Sequence, residues 1–464
     1  MAINDPTVRI KFLGATRTVT GSKYLIQNGG KKILVDGGLF QGEKELRLRN
    51  WAEPPFNPAE LDAILVTHAH IDHTGYLPLL VRRGFAGPIY CTAGSMDLIP
   101  ILLSDSAHLQ EEEAGYANAH GTSRHHPAKP LYDRRDADGV KPLLRSVSRD
   151  TPVKIFDGVH VSYSAAGHIL GACTINLDIA GKRISFSGDI GRYAAPLIPD
   201  PKGIELGTVL LIESTYADKQ HPPVDTATEL EQVIRLIIEK DGPLIVPAFA
   251  VGRTQTLLYY LAELERAKRI PELPVFVDSP MASDVTALYR RHEEDQDAES
   301  RKLIESDISP FLTRRTKFCR TVEQSKAIND VKGPRIIIAA SGMVNGGRVL
   351  HHLARLVSSP QTTVLFVGYQ AQGTRGQQIQ SGAESIKIFG QHRAVKAGIR
   401  TISGLSAHGD RDELLRWIRS SSGSPSQVFT VHGEDAACSG FARTIESDLG
   451  WKARPAEYLE EIAF

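Results

Sequence analysis

The chain has 464 residues, a length that allows about three domains. Lysine plus arginine and aspartate plus glutamate both number 54, so the formal net charge at pH 7 is zero. This balance excludes recruitment to nucleic acid by an overall positive field, and any such binding must come from a local positive surface.

The first candidate site residue follows a short apolar strand. Residues 32–35 read Lys-Ile-Leu-Val, and Asp36 follows them directly, before two glycines. A lone carboxylate at this place is often only a turn residue. It is also a candidate site residue, because glycine lets the backbone approach a bound ion closely.

The most informative stretch is residues 67–73, Thr-His-Ala-His-Ile-Asp-His. It follows the apolar run 63–66 and precedes an amphipathic helix predicted at 77–81, so it lies at the C-terminal end of a strand. Imidazole nitrogen and carboxylate oxygen suit Zn²⁺, and a catalytic zinc keeps one position open for water. The candidate metal ligands in this stretch are His68, His70, Asp72 and His73.

Two further strand ends carry residues of the same kind. His168 lies in Ala-Gly-His-Ile-Leu-Gly at 166–171, and Asp189 follows the run 183–188. Each of them alone is commonly a turn residue. Their order after the histidine-rich stretch favours one metal site formed by several strand ends.

From residue 209 onward, predicted strands and helices alternate. The apolar run 209–212 ends in Glu213. The elements predicted after it are helices at 226–239 and 254–266 and strands at 244–248, 275–278, 335–339 and 363–367. This alternation predicts a parallel, doubly wound sheet. The polar stretches 111–149 and 291–309 are predicted to be surface excursions with some helix.

Ligand-like motifs resume near the C-terminus, which indicates that the alternating region is an insertion. Ser-Ala-His-Gly-Asp at 406–410 contains His408, and Val-His-Gly-Glu at 431–434 contains His432. The second motif directly follows a predicted strand.

Three glycine-rich loops in the inserted region each follow a predicted strand and open a helix. Amides at a helix N-terminus bind phosphate, and an adjacent arginine adds bidentate contacts. Plain strand-to-helix turns are the alternative interpretation of each loop. The candidate phosphate-binding residues are Gly252, Arg253, Ser341, Gly346, Gly347, Arg348 and Arg375.

The order of Asp36, the 68–73 motif, His168 and Asp189 resembles the metallo-β-lactamase superfamily. Glu213, His408 and His432 resemble the three further motif positions of the β-CASP nucleases within it, so the similarity spans nearly the whole chain. The resemblance implies an α/β fold, a metallo-β-lactamase αββα sandwich with an inserted α/β (β-CASP) domain of mainly parallel sheet. The implied sandwich comprises residues 1–212 and 396–464, and the implied insert comprises residues 213–395.

The resemblance also implies two zinc ions per chain. The first zinc would be held by His68, His70 and His168, the second by Asp72, His73 and His432, with Asp189 as a bridge between them. Asp36 would orient a ligand from outside the ligand set. Catalytic roles are implied for His408, Glu213 and Asp72. Family members that act on RNA typically carry histidine at the position of His432, whereas the DNA-repair branch carries an aliphatic residue.

The implied activity is zinc-dependent hydrolysis of phosphodiester bonds in single-stranded RNA, with water activated by two metal ions. His408 would be the general acid, oriented by Glu213. Endonuclease and 5′-to-3′ exonuclease action both stay open. The alternatives are a DNA-specific β-CASP nuclease, a small-molecule hydrolase of the superfamily, and an inactive scaffold, although such scaffolds lose zinc ligands and every ligand is present here.

The cysteines and the N-terminal residues indicate the cellular compartment in which the protein is expected. The four cysteines are scattered without a Cys-x-x-Cys pair, so neither a disulfide framework nor a thiolate zinc site is predicted. The first residues lack a signal pattern, and no apolar run approaches membrane-spanning length. We expect a cytoplasmic protein with no membrane partner. The oligomeric state, a homo-oligomer included, stays open.

Overall fold

The computed structural model describes residues 7–123, 125–221, 225–368, 370, 373–402 and 404–464. The chain forms two compact units. The first unit comprises the described residues of Met1–Ala195, Asp200–Gln220 and His408–Phe464, and the second comprises those of Pro196–Pro199 and His221–Ala407. The predicted insert, residues 213–395, has ends near those of the second unit, and its bounds as a domain stay a prediction.

The first unit is built mainly from the N-terminal part of the chain. Its strands there are β1 (Arg9–Phe12), β2 (Tyr24–Asn28), β3 (Lys31–Val35), β4 (Ala63–Leu65), β5 (Ile89–Cys91), β6 (Leu144–Ser146), β7 (Val153–Phe156), β8 (Val159–Ala165), β9 (Cys173–Ile179), β10 (Lys182–Phe186) and β11 (Val209–Glu213). Its helices there are α1 (Lys44–Arg49), α2 (Ile71–Thr74), α3 (Leu77–Arg82), α4 (Ala93–His120) and α5 (Arg134–Asp138).

The second unit follows. Its strands are β12 (Pro243–Pro247), β13 (Val275–Asp278), β14 (Thr316–Phe318), β15 (Arg335–Ala339), β16 (Thr363–Phe366), β17 (Ser385–Ile388), β18 (Gln391–Ala394) and β19 (Gly398–Thr401). Its helices are α6 (Thr226–Glu239), α7 (Arg253–Arg266), α8 (Pro280–Arg291), α9 (Ala298–Glu305), α10 (Val322–Ala327), α11 (Val349–Leu356) and α12 (Arg375–Gln380). The chain then returns to the first unit with α13 (Arg411–Ser420), β20 (Gln427–Val431), α14 (Asp435–Leu449), β21 (Ala453–Pro455) and β22 (Glu461–Ala463).

Two sheets form the core of the first unit. The strand order is β22-β1-β2-β3-β4-β5-β6 in one and β21-β20-β11-β10-β9-β8-β7 in the other. Their apolar faces pack together, and the rings of Phe12 and Phe429 meet across the interface with centroids 5.0 Å apart. Truncating an aromatic side chain buried in this way costs about 3–5 kcal/mol of folding free energy. The sandwich and the α/β class predicted from the sequence are confirmed.

Parallel pairing brings the site residues to one edge of each sheet. Strands β3 and β4 are parallel, and β11 is parallel to both β10 and β20. Parallel strands end at the same edge, so residues that follow their C-terminal ends are neighbours in space. Asp36, His68, Asp189 and His432 all follow such ends, and Glu213 is the last residue of β11.

The second unit contains the predicted parallel sheet. Its order is β14-β13-β15-β12-β16-β19, with parallel pairing throughout, and β17 and β18 form a separate antiparallel hairpin. The predicted helix at 226–239 and the predicted strands at 275–278 and 335–339 have the observed bounds. The other predicted elements of this region differ by about one residue at their ends.

The stretch 111–149 is more ordered than the sequence suggested. Helix α4 continues to His120, a reciprocal capping box of Asp133 and Asp136 starts α5, and Tyr132 is fully buried. Strand β6 then extends the first sheet beside β5. The strand has one buried residue followed by two exposed ones. Three residues are too few to show the alternation of apolar and polar side chains that predicts a strand. None of the described helices combines the length and the apolar character that a bilayer crossing requires.

Candidate metal centre

A first group of ligand atoms converges where β4 ends. The group consists of His68, His70, His168 and Asp189, whose ligand atoms lie within 4.8 Å of one another. His70 Nδ1 lies 3.1 Å from His68 Nε2 and 3.2 Å from His168 Nε2. Asp189 Oδ2 lies 3.4 Å from the His68 nitrogen and 3.5 Å from the His168 nitrogen. Residues far apart in the sequence therefore direct their ligand atoms into one small volume.

A second group lies next to the first and consists of Asp72, His73 and His432. His432 Nε2 lies 3.2 Å from both His73 Nε2 and Asp72 Oδ2. Asp189 Oδ1 lies 3.3 Å from His73 Nε2 and 3.6 Å from His432 Nδ1. The Asp189 carboxylate thus presents one oxygen to each group.

The geometry of the first group is compatible with a bound metal ion. Tetrahedral zinc with Zn–N bonds of about 2.0–2.1 Å separates its ligand atoms by roughly 3.3–3.4 Å. Four of the six separations here are 3.1–3.5 Å, and all lie within 4.8 Å. Asp189 Oδ1 is buried, and the ring nitrogens of His73 and His432 lie 3.3 and 3.6 Å from it. A buried carboxylate is stable only beside positive charge, which protonated histidines or metal ions can supply. The residues present therefore fit a pair of divalent metal ions.

Burial and charge have opposite effects on the histidines of the two groups. Burial lowers the pKa of His70 to about 4 and lowers that of His68 well below its usual value. Burial also opposes charging of His73, but the carboxylates of Asp189 and Asp36 outweigh it and raise the His73 pKa. His68 and His70 are therefore ready as neutral ligands, whereas a metal ion at His73 must displace a proton.

Asp36 and Thr67 fix the orientation of the ligand rings. Asp36 Oδ2 lies 2.8 Å from His73 Nδ1, and Asp36 Oδ1 accepts a hydrogen bond of 2.8 Å from the Thr67 amide. The Thr67 hydroxyl donates to Asp36 Oδ2 at 2.9 Å and lies 3.1 Å from His68 Nδ1. A partner at Nδ1 leaves Nε2 available to a metal. The sequence analysis missed Thr67, although a hydroxyl residue between a buried strand and the first histidine is a recognisable feature.

His408 and Glu213 form a pair beside the first group. His408 Nδ1 lies 3.3 Å from Glu213 Oε1 and 3.9 Å from Asp189 Oδ2. The fully buried Glu213 accepts hydrogen bonds from the amides of Ile190 at 2.6 Å and Thr215 at 3.2 Å. These backbone donors hold the carboxylate in place, and the carboxylate positions the imidazole. The His408 side chain keeps 19% of its surface exposed, so a molecule from solvent can reach it.

His432 is held by residues of the loops that follow β1 and β11. It adopts a positive φ of 49°, and its amide donates a hydrogen bond of 2.7 Å to the carbonyl of Ala15. The Thr215 hydroxyl lies 3.1 Å from His432 Nδ1. Gly433 must be glycine here, because a Cβ would come within 2.6 Å of the Ser214 carbonyl oxygen. Thr215 is a second neighbour of a candidate ligand that the sequence analysis missed.

The candidate phosphate-binding residues all belong to the second unit, whereas the residues of the metal centre belong to the first. Gly252 is the N-cap of α7, with φ of 76° and no side-chain cap, and Arg253 is the first residue of that helix. Ser341 Oγ accepts hydrogen bonds from the amides of Asn345 and Gly346, at 3.1 and 3.4 Å. The loop at Ser341 therefore already satisfies some of its own amides.

Two of the candidate arginines make internal hydrogen bonds. Arg348 donates to the Asp278 carboxylate at 2.8 Å and to the carbonyls of Cys319 and Arg320 at 2.9 and 2.7 Å. Arg375 donates to the carbonyls of Lys387 at 2.8 Å and Asn345 at 3.1 Å. Gly347, beside Arg348, has φ of 72°. Of the third loop, Tyr369, Ala371 and Gln372 lie outside the described residues.

Models of known families match three successive parts of the chain. The metallo-beta-lactamase superfamily model matches residues 17–248, and the Beta-Casp domain model matches residues 254–379. A model described as the Zn-dependent metallo-hydrolase RNA specificity domain matches residues 393–455.

Curated relatives are similar along most of the chain. Ribonuclease TTHA0252 of Thermus thermophilus is 34% identical over 92% of this chain and 94% of its own length. Transcription termination factor FttA of Methanosarcina mazei is 31% identical over 99% of this chain and 72% of its own length. The crystal structure of a protein of unknown function from Enterococcus faecalis V583 has a TM-score of 0.53 and 13% identity, and the match covers 99% of this chain and 100% of that chain. That likeness supports the fold alone.

Metal content should respond differently to substitutions at Asp189 and Asp72. Asp189→Ala removes an oxygen from both groups, so the purified protein should lose nearly all of its metal. Asp72→Ala removes a ligand from the second group alone and should leave roughly half. Elemental analysis measures both, with circular dichroism to verify folding.

Asp157→Ala is the control for these two variants, because Asp157 is almost fully exposed and, among the described residues, pairs with Lys154 alone. It should keep the metal content of the unaltered chain. Asp189→Ala protein that is folded and as rich in metal as this control would contradict the bridging position of Asp189.

Proposed function

Because the chain belongs to the β-CASP family of metallo-β-lactamase-fold nucleases, which are metal-dependent hydrolases, we propose that it uses two zinc ions to hydrolyse phosphodiester bonds in single-stranded RNA. One observation carries this proposal. The buried carboxylate of Asp189 faces two groups of ligand atoms, and His408, whose side chain is partly exposed, lies beside it.

RNA is favoured over DNA as the substrate for two reasons. Histidine at position 432 is typical of family members that act on RNA. The relatives similar over most of the chain are named as a ribonuclease and as transcription termination factors, and one matching model is named for RNA specificity. A cytoplasmic location and a homo-oligomer stay predictions.

The chain's own residues would hold the metals and the reacting groups. One ion would be bound by His68, His70 and His168. The other would be bound by Asp72, His73 and His432, and Asp189 would bind both ions. Such a pair of ions supplies Lewis acidity for the scissile phosphate and activates a water molecule near neutral pH. Asp36 would keep the His73 ring in the orientation that a ligand requires, because it contacts Nδ1 and leaves Nε2 for the metal.

His408 would supply the proton that the leaving ribose oxygen needs. Its Nδ1 faces Glu213, so Nε2 is the atom that would donate the proton. Glu213 would stabilise the protonated imidazole and hold the ring at a fixed angle, since backbone amides at both of its oxygens keep it from moving. His408 is therefore proposed as the catalytic acid and Glu213 as a positioning residue.

Phosphate contacts away from the metals are proposed for the loop at Gly252 and Arg253. Helix α7 has no side-chain N-cap, although the amides of Arg253 and Thr254 donate to the carbonyls of Val251 and Phe249. The helix dipole would still stabilise an anion at this end. Phosphate binding by Arg348 or Arg375 would require their present hydrogen bonds to carbonyls and to Asp278 to be exchanged. Those two contacts, and those of the loop at 341–347, stay predictions.

The substrate proposal can be tested with the purified protein. Single-stranded RNA labelled internally or at the 5′ end, matched DNA and matched RNA duplex are each incubated with the protein, with and without a chelator. We expect single-stranded RNA alone to be cut, and only without chelator, and product mapping distinguishes internal from 5′-to-3′ cleavage. Equal cleavage of DNA would remove the case for RNA that rests on His432.

Substituting His408 should separate acid catalysis from metal binding. His408→Ala should lower turnover by about 10²–10⁴-fold, as is usual when acid–base catalysis is lost, with the zinc content retained. Single-turnover cleavage and elemental analysis measure the two quantities. Loss of zinc from this variant would make His408 a ligand and not the acid.

Glu213→Gln should have a smaller effect than His408→Ala, because the amide keeps the shape of the carboxylate but weakens the support for a charged imidazole. Turnover, zinc content and melting temperature are measured together for this variant. Reduced turnover that follows a lowered melting temperature would mean that Glu213 acts only through the fold.

Arg253→Gln should weaken binding of single-stranded RNA to a similar extent for unrelated sequences. One lost phosphate contact should also flatten the log–log dependence of binding on salt by roughly 0.7. Arg348→Gln is the comparison, because it removes a partner of the buried Asp278 carboxylate and should mainly lower the melting temperature. An unchanged salt dependence in Arg253→Gln would refute the proposed contact.

A further inference from the structure

One exposed segment of the first unit has no role in the metal centre. It runs from residue 41 to residue 57 and includes α1, a helix that buries none of its side chains. Asn50 is the one buried residue within it. Leu46 and Arg49 are half-buried, and the other side chains of the helix are exposed and available to a partner.

Asn50 ties this segment to the backbone beside the metal centre. Its Oδ1 accepts a hydrogen bond of 2.9 Å from the Phe40 amide, and its Nδ2 donates one of 2.8 Å to the Phe40 carbonyl. The preceding residue, Leu39, donates its amide to the carbonyl of Ile71, next to the ligand Asp72. The segment is therefore held at a fixed place only a few residues from candidate metal ligands.

The surface of the segment combines apolar and cationic groups. Trp51 and Leu48 keep 54% and 55% of their surface exposed, an unusual degree for large apolar residues that lie close together. The guanidinium of Arg49 lies 4.2 Å from the ring centre of Tyr458, which is itself 37% exposed. Together with Arg47, these residues form what we call the Trp51 surface.

The Trp51 surface presents two cations. Arg47 and Arg49 lie in the last turn of α1, close to Trp51, and among the described residues neither is paired with a carboxylate. Glu43 and Glu45 lie four residues before the two arginines, and Glu53 pairs with Arg83. The two guanidinium groups at the aromatic end of the segment can therefore contact a partner.

We propose that the Trp51 surface binds single-stranded RNA, with bases stacking on Trp51 and Tyr458 and phosphates bound by Arg47 and Arg49. This inference rests on the proposed function and names a substrate-contacting surface for it. Unpaired bases expose apolar faces that stack on aromatic rings and guanidinium groups, and the adjoining phosphates require cations.

Self-association explains these observations less well. A symmetric contact between two copies would bury Arg47 and Arg49 of both copies in one interface, which would need a carboxylate of the other copy for each of them. A nucleic acid strand supplies the opposite charge. The aromatic and cationic side chains of the Trp51 surface therefore favour RNA over a second copy of this chain.

Binding of a cleavage-resistant strand tests the inference. A fluorescently labelled oligouridylate with phosphorothioate linkages is titrated with the unaltered protein, with Trp51→Ala and with Arg47→Gln/Arg49→Gln. We expect Trp51→Ala to raise the apparent Kd by roughly 5- to 100-fold, as loss of one stacked base does. The arginine pair should flatten the log–log salt dependence by about 0.7 for each phosphate released.

Tyr116→Ala is the matched control, since Tyr116 is 62% exposed on α4 and belongs to neither the metal centre nor the Trp51 surface. It should bind like the unaltered protein. Trp51→Ala should also lower the rate of RNA cleavage relative to hydrolysis of bis(p-nitrophenyl) phosphate, which offers no base to stack.

The outcomes separate this inference from the proposed function. Cleavage of RNA by the unaltered protein, with Trp51→Ala binding as tightly as Tyr116→Ala, overturns the Trp51 surface and leaves the proposed function intact. Failure of the unaltered protein to cleave any RNA overturns the proposed function itself. A change from dimer to monomer in Trp51→Ala, measured by sedimentation, with no change in RNA affinity, would identify the surface as a contact between copies and also overturn the inference.

Discussion

The burial of the Asp189 carboxylate is the interaction on which the metal centre depends. Removing an ionised carboxylate from water costs several kcal/mol, so it is tolerated only where positive charge surrounds it. Burial alone would raise the Asp189 pKa, but His432 and His73 supply that charge and keep it well below its usual range. The same carboxylate raises the pKa of His432 and His73. Metal ions can replace those protons, so metal binding, proton release and folding of this edge are coupled.

The sheet topology allows this concentration of polar groups, because it places them at one edge and outside the core. Asp36, His68, Asp189 and His432 follow the ends of parallel strands that are mostly apolar, so the core stabilises the fold and the edge holds the polar groups. Close backbone approaches complete the site. A Cβ on Gly38 would come within 1.6 Å of the Asp72 carbonyl oxygen, so the loop after β3 can lie against the metal motif only because that residue is glycine.

Much of this arrangement could be predicted from the sequence, because each candidate ligand follows a strongly apolar strand and the spacing of the motifs is distinctive. The parallel sheet of the second unit was predictable for the same reason. Thr67 and Thr215 were not predicted, since a hydroxyl gains its role from partners that the sequence does not show to be near. Strand β6 was not predicted because it is too short to show an alternation of apolar and polar residues. The hydrogen bonds of Arg348 to Asp278 and to two carbonyls could not be predicted either, because they join residues that are distant in the sequence.

The long sequence separation within the metal centre has a consequence for the synthesis of the protein. Asp72 and His432 meet although 360 positions separate them, and β22 pairs with β1. A ribosome therefore releases the first ligands long before His408 and His432 exist. A nascent chain can form the β-strands of the N-terminal part, but it lacks the proposed acid and one ligand until the last part of the chain emerges. The site that the proposed hydrolysis would need is therefore complete only after the last part of the chain has been made.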